Sequence, residues 1–181
     1  VNLDEYVGLA ADHPQSYRKF MDDNLFDHIN IDKMNTVVAK GTGDIEANVR
    51  EFREAIAKRP IDVQLLGIGV DGHVGFNEPG RVLYDGAHVE ELDESTIDAN
   101  SRFFASREEV PTRAISMGMG DILRAKKLLL LATGENKTEA MRGLLLNEEL
   151  DAENPATLVK THPDVTVIID KALAKSVGYS Y

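Results

Sequence analysis

The sequence of 181 residues contains no cysteine. Disulfide bonds, thiolate metal sites and cysteine nucleophiles are therefore excluded. No apolar run approaches the length of a membrane span and no secretory signal peptide is visible, so we expect a cytoplasmic protein. Positive charge is also scarce, because 20 Lys and Arg stand against 31 Asp and Glu, for a net charge of -11. This balance opposes nonspecific binding to nucleic acid or to an anionic membrane surface.

The chain has the composition of one globular domain. Hydrophobic residues make up 43% of it, and no internal repeat, low-complexity tract or linker divides it. We therefore expect a single domain over residues 1–181. The sequence starts without Met, and "VNLDEYVGL" enters a β-like run at once. We expect that the parent protein has a further N-terminal segment, that apolar surface is left uncovered without it, and that this stretch alone has little activity.

Strand-like and helix-like segments alternate along the chain. Continuously apolar strands are predicted in "IDVQLLGIG" (61–69), "LLLLA" (128–132) and "DVTVIID" (164–170). Helices are predicted from Pro14 in "PQSYRKFMDDNLFDHI" and after Asp44, a capping residue, in "IEANVREFREAIAKR". This alternation is typical of α/β proteins, so we expect a three-layer α/β/α fold. Its mostly parallel, Rossmann-like sheet should be covered on both faces.

Three glycines stand in the stretch "LLGIGVDGHVGFNEPG" (65–80). Gly67, Gly69 and Gly72 match the G-x-G-x-x-G spacing of a dinucleotide-binding loop. That loop needs a helix that begins within the glycines, but further glycines and a proline follow here and disfavour one. We therefore reject a nicotinamide site. A tight turn alone would leave three ionisable side chains in this stretch unexplained.

Asp71, His73 and Glu78 are candidates for acid–base catalysis. Ligands of such α/β folds bind where the strands end, and these residues follow the 61–69 strand. A carboxylate on one imidazole nitrogen fixes the tautomer, so the other nitrogen can exchange protons with a substrate. A metal site is the rival interpretation, which we disfavour because no second His lies at ligand spacing. Asp4 and Glu5 follow the predicted first strand, where catalytic carboxylates gather; solvated loop charges are the alternative.

Two cations are candidates for phosphate binding. Lys137 is predicted in the first turn of a helix, in "TGENK", where backbone amides and the helix dipole favour an anion. Arg102, in "ANSRFF", has only its position in its favour. For both residues, an ordinary surface cation is the alternative.

Several motifs together resemble the glucosamine-6-phosphate deaminase family. They are "LDEYVGL", "SYRKFM..NLFDHI", "LLGIGVDGHVGFNEPG", "ANSRFF" and "VPTRAISMGMGDIL", and they occur in family order over nearly the whole chain. The combination of "DEYVGL" with "DGH..FNEP" is specific, since the related 6-phosphogluconolactonases have a similar "DGH" loop and lack "FNEP".

The resemblance implies conversion of glucosamine 6-phosphate to fructose 6-phosphate and ammonia, without a metal or an organic cofactor. It implies that Asp4 is the base that moves a proton between the second and first carbons. It assigns ring opening to His73, oriented by Asp71 and Glu78. The implied substrate-binding residues are Gly67, Arg102 and Lys137, with the two cations at the phosphate.

The chain departs from the family pattern at two places. The glycine-rich Ser/Thr phosphate loop that precedes "LDEY" in the family is not in this sequence. After "FNEP", the family often has Ser-Arg-Thr-Arg in a mobile lid, where this chain has Asp85, Gly86, Ala87 and His88. Loss of the Arg at Gly86 argues against the allosteric site of hexameric members. The alternatives are another sugar-phosphate isomerase, a 6-phosphogluconolactonase-like hydrolase, or a sugar-phosphate sensor without turnover.

Overall fold

The computed structural model of the chain describes residues 1–80 and 82–179. The chain divides into two compact units, each made of two stretches of sequence. Unit 1 comprises Val1–Arg59 and Ala87–Met117, and unit 2 comprises Pro60–Gly86 and Gly118–Tyr181.

Unit 1 contains a small antiparallel sheet that the sequence did not predict. Its strands are β1 (Asp4–Tyr6), β3 (His88–Glu91) and β4 (Arg113–Ser116), in the order β1-β4-β3. The register of β1 on β4 pairs Asp4 with Ser116 and Tyr6 with Ala114. A strand of three residues gives almost no periodic signal, and its partner lies more than 100 residues away.

Three α-helices complete unit 1: α1 (Tyr17–Asn24), α2 (Ile45–Lys58) and α3 (Glu94–Asn100). The prediction for α2 is confirmed, because the Asp44 carboxylate accepts a hydrogen bond from Ala47 N at 3.0 Å and caps the helix. The predicted start of α1 at Pro14 is wrong. Ser16 caps this helix instead, and its hydroxyl accepts from Lys19 N at 3.0 Å.

Unit 2 contains the predicted parallel sheet. Its strands are β2 (Val63–Leu66), β5 (Lys127–Ala132) and β6 (Val165–Ile169), in the order β2-β5-β6. Its helices are α4 (Met119–Leu123), α5 (Thr138–Leu145) and α6 (Lys171–Val177). The α/β fold with a parallel sheet is therefore confirmed, and the antiparallel sheet of unit 1 is an addition to it.

One face of the parallel sheet is exposed, so the prediction of cover on both faces is wrong for the described structure. Leu66 of β2 is 1% exposed, whereas its neighbour Leu65 is 54% exposed. Leu131 and Ile168 are adjacent in the register of β5 and β6 and are 41% and 52% exposed. Within residues 1–80 and 82–179, no helix combines the length and apolar character needed to cross a bilayer.

Candidate active site

A tight turn follows β2 and carries the candidate acid–base residues. Gly69 N donates to His73 O at 2.8 Å, and Gly72 adopts a φ of 94°, which favours glycine. The Asp71 carboxylate accepts from His73 N at 3.1 Å within the same turn. The backbone of the turn and this hydrogen bond together place the two side chains next to each other.

The turn brings Asp71, His73 and Glu78 together, as predicted. His73 Nδ1 lies 2.8 Å from Asp71 Oδ1 and 3.5 Å from Glu78 Oε2. Glu78 is buried, and within the described part of the chain its carboxylate has no hydrogen-bond donor other than this imidazole. Both carboxylates thus engage one ring nitrogen, which leaves Nε2 as the nitrogen that can exchange a proton with a ligand.

The two carboxylates control the protonation of His73. Burial of the ring works to lower the pKa of His73, but hydrogen bonds and charge from Asp71 and Glu78 outweigh it and raise the pKa to about 9. Burial also works to raise the pKa of Asp71, but the His73 ring outweighs it and holds that pKa below its usual value. The pair is therefore an imidazolium and a carboxylate at neutral pH, and a proton is available for donation.

Among the described residues, the same three side chains also form a cluster that could hold a metal ion. One ligand atom from each lies within 4.8 Å of the others. A cation there would have to displace the proton that the carboxylates hold on His73, since a metal-bound imidazole nitrogen must be deprotonated. At neutral pH the donor set therefore suits proton transfer better than metal binding.

Lys137 lies close to the same turn. Its ammonium group donates a hydrogen bond to Ile68 O at 2.7 Å, between β2 and the turn. Lys137 is the last residue of a 3-10 helix, Glu135–Lys137, and the N-cap of α5, so it directly precedes the helix in whose first turn it was predicted. Gly67 has open space beside its Cα atom. Unit 2 thus brings five of the seven predicted site residues to the end of one strand.

The other two predicted residues belong to unit 1. Asp4 is the first residue of β1 and is 8% exposed, so it lies within an antiparallel strand and not after a parallel one. Arg102 lies in a 3-10 helix, Ser101–Phe103, is exposed, and stacks its guanidinium 4.7 Å from the centre of the Phe103 ring. Their roles remain predictions.

Two tyrosines near Asp4 escaped the sequence interpretation. The rings of Tyr6 and Tyr17 stack with their centres 5.3 Å apart. Burial, together with the charge of Asp4, raises the pKa of Tyr6 to about 12, and the same two causes raise the pKa of Tyr17 well above its usual value. Both phenols therefore stay protonated as hydrogen-bond donors. The sequence motifs did not indicate this pair, because Tyr6 and Tyr17 are eleven residues apart and meet only when α1 packs on β1.

The segment at the position of the family lid packs on α4. Tyr84 O and Asp85 O accept hydrogen bonds from Met119 N and Asp121 N, both at 2.8 Å. The Asp85 carboxylate pairs with Arg124 at 2.9 Å. Gly86 follows directly, and no cation stands at that position.

A cavity of about 600 Å³ lies in unit 1, between α1, α2 and residues 36–42. None of the seven predicted site residues lines it, although Glu5 does. The cavity is therefore separate from the candidate acid–base site.

A family model described as "Glucosamine-6-phosphate isomerases/6-phosphogluconolactonase" matches residues 4–168 of the chain. The chain belongs to this family. It is 52% identical over 175 residues to a glucosamine-6-phosphate deaminase from Thermoanaerobacter pseudethanolicus, which covers 96% of this chain and 69% of that protein. It is 50% identical over 180 residues to one from Clostridium perfringens, which covers 97% of this chain and 73% of that protein.

Solved structures show the same fold. The chain matches a monomeric glucosamine-6-phosphate deaminase with a TM-score of 0.93 and 42% identity, over 97% of this chain and 73% of that one. It also matches a 6-phosphogluconolactonase from Trypanosoma cruzi with a TM-score of 0.71 and 18% identity, over 95% of this chain and 69% of that one. The second likeness concerns the fold alone.

Proposed function

We propose that the chain catalyses the conversion of glucosamine 6-phosphate and water to fructose 6-phosphate and ammonia. The observation that carries the proposal is the pairing of His73 Nδ1 with Asp71 and Glu78 in the turn after β2, next to the Ile68 carbonyl that Lys137 binds. Identity of about half the sequence to relatives that bear the deaminase name supports it.

Ring opening is the first step. Protonated His73 donates through Nε2 to the ring oxygen of the sugar, and the neutral imidazole takes up the proton of the anomeric hydroxyl. Asp71 and Glu78 keep the imidazole oriented and favour its charged form. Lys137 has an ammonium group at the strand end, suited to the phosphate, and we assign Arg102 to the same anion.

Proton transfer between carbons is the second step. The Asp4 carboxylate takes the proton from the second carbon of the open sugar and returns it to the first carbon. The bond to nitrogen becomes an imine at the second carbon, and water hydrolyses it to the ketone and ammonia. The aldehyde at the first carbon takes up the electron pair when the second carbon loses its proton, and the nitrogen lone pair forms the C=N bond when the first carbon gains it, so no cofactor is needed as an electron sink. We also propose that the protein is cytoplasmic. We propose further that residues 1–181 act together as a single sugar-phosphate isomerase/deaminase domain.

A lactonase is the second candidate, because the matching family includes 6-phosphogluconolactonases. Lactone hydrolysis needs no base at the second carbon, so Asp4 separates the two activities. The third candidate is a sensor that binds a sugar phosphate without turnover.

The test is to incubate the complete gene product with glucosamine 6-phosphate and to measure ammonia and fructose 6-phosphate. We expect equal amounts of both products. Hydrolysis of 6-phosphogluconolactone without ammonia release would establish the lactonase instead, and saturable binding without either product would establish the sensor.

A further inference from the structure

Glu5 is a buried carboxylate to which the proposed reaction gives no role. It follows Asp4 on β1 and is 1% exposed. Its Oε1 accepts hydrogen bonds from Tyr6 N and Tyr17 N, both at 2.9 Å, and its Oε2 accepts from Arg18 N at 2.9 Å. Three donors on two oxygens favour the ionised form, which accepts at every lone pair, and they oppose the effect of burial, which raises the pKa of Glu5.

Two of these donors belong to the start of α1. The amides of Tyr17 and Arg18 are the first two of the helix, and such amides have no partner within a helix. The helix dipole adds a favourable interaction with the negative carboxylate. The third donor is the amide of β1 itself. Glu5 therefore ties the strand that carries Asp4 to the first turn of α1.

Side chains alternate along a strand, so Asp4 and Tyr6 point to the face opposite Glu5. The position of the Asp4 carboxylate depends on where β1 lies and how it is rotated. A base must lie within hydrogen-bond distance of the proton that it removes, and an error of about 1 Å can cost on the order of 100-fold in rate.

We propose that Glu5 is a positioning residue for Asp4: it fixes β1 on α1 so that the Asp4 carboxylate keeps its place. The inference rests on the proposed function, in which Asp4 is the base. It predicts that Glu5 affects the rate of proton transfer and not the binding of substrate.

The main variant is Glu5→Gln in the complete gene product. The amide side chain has the same shape, but its NH₂ group meets a backbone N–H, so one donor loses its acceptor. We expect kcat to fall about 10- to 100-fold while KM stays within about threefold. Glu5→Asp keeps the charge but is one carbon shorter, and it should show the same split.

Two matched controls separate this role from general stability. Ser16→Ala removes the hydroxyl cap of the same helix and should lower the unfolding temperature without changing kcat. Glu51→Gln changes another carboxylate that lines the unit 1 cavity, one with a 61% exposed side chain, and should change neither quantity.

The deciding measurement is a double-mutant cycle with Asp4→Asn. If Glu5 acts through Asp4, Glu5→Gln adds less than about a twofold loss in the Asp4→Asn background. Any of four results would overturn the inference. In the cycle, Glu5→Gln could lower kcat in the Asp4→Asn background as much as in the wild type. Alternatively, Glu5→Gln could leave kcat unchanged, Ser16→Ala could lower kcat as much as Glu5→Gln does, or both Glu5 variants could fail to fold. If Asp4→Asn itself has the wild-type rate, the proposed mechanism fails first, and the role of Glu5 fails with it.

Discussion

The two units hold their key carboxylates in different ways. In unit 1, Glu5 binds three backbone amides, two of them 12 and 13 residues away along the chain. In unit 2, Asp71 and Glu78 bind one imidazole within eight residues of sequence. Backbone amides cannot titrate, whereas an imidazole can. The contacts of Glu5 therefore suit it to hold a position, and those of His73 suit it to hold and release a proton.

The largest expected effect tests the function assigned to unit 1. Asp4→Asn keeps the shape of the side chain but removes the base, so turnover of glucosamine 6-phosphate should fall on the order of 100- to 10,000-fold. Affinity for an unreactive substrate analogue should change much less, since the proposed phosphate contacts lie elsewhere. Asp12→Asn, at an exposed carboxylate of the same unit, is the control. Near-normal turnover of glucosamine 6-phosphate in Asp4→Asn would mean that Asp4 is not the base.

The second-largest expected effect tests the proposed proton transfer by His73 in unit 2. His73→Gln removes the titrating group, and turnover of the closed-ring substrate should fall by roughly 10- to 1,000-fold. Because the proposed role of His73 is ring opening, an open-chain substrate should recover part of the lost rate. The same loss with both forms of the sugar would assign His73 to a later step.

The contrast between the units also explains what the sequence could predict. The acid–base turn was predicted because its three side chains are local and the strand before it is continuously apolar. The prediction of α2 succeeded for a similar reason, because the capping residue Asp44 directly precedes the residues whose apolar spacing indicates the helix. The sheet of β1, β4 and β3 was missed because pairing between distant short strands leaves no periodic signal. The start of α1 was misplaced because Pro14 suits a turn as well as a first helical position.

A pair of glycines in unit 2 gives a smaller and sharper test. A Cβ atom on Gly69 would lie 2.3 Å from His73 Nδ1 and 2.5 Å from Asp71 Oδ1, whereas one on Gly67 would meet nothing within 4 Å. Gly69→Ala should therefore displace the acid–base pair, lower kcat by about tenfold and lower the unfolding temperature.

Gly67→Ala is the matched variant. It should leave the unfolding temperature unchanged and raise KM, because Gly67 is predicted to line the substrate. If Gly67→Ala leaves KM unchanged, that residue has no part in binding. If Gly69→Ala has normal kcat, the arrangement of His73 and Asp71 is not needed for the reaction.

The smallest effect concerns stability against pH and needs no substrate. The folded-state pKa of His73 is about 9, against an ordinary value of 6.5, so the folded protein binds this proton more tightly than the unfolded chain does. The resulting stabilisation, on the order of 3 kcal/mol, is fully present below about pH 6.5 and is lost as pH rises through about 9. In unit 1, by contrast, burial raises the pKa of the Glu5 carboxyl above its usual value and disfavours its charged form.

Urea unfolding of the wild type and of Asp71→Asn between pH 6 and pH 10 measures this pH-dependent stabilisation by His73. We expect the stability advantage of the wild type to shrink as pH rises above 6.5, since Asp71 stabilises the protonated His73 ring more than the neutral one. Asp62→Asn changes an exposed carboxylate of the same unit, and its free energy of unfolding should vary with pH as that of the wild type does. A difference that stays constant up to pH 10 would mean that His73 is not the proton-holding residue, and the contrast between a positioning unit and a proton-holding unit would then fail.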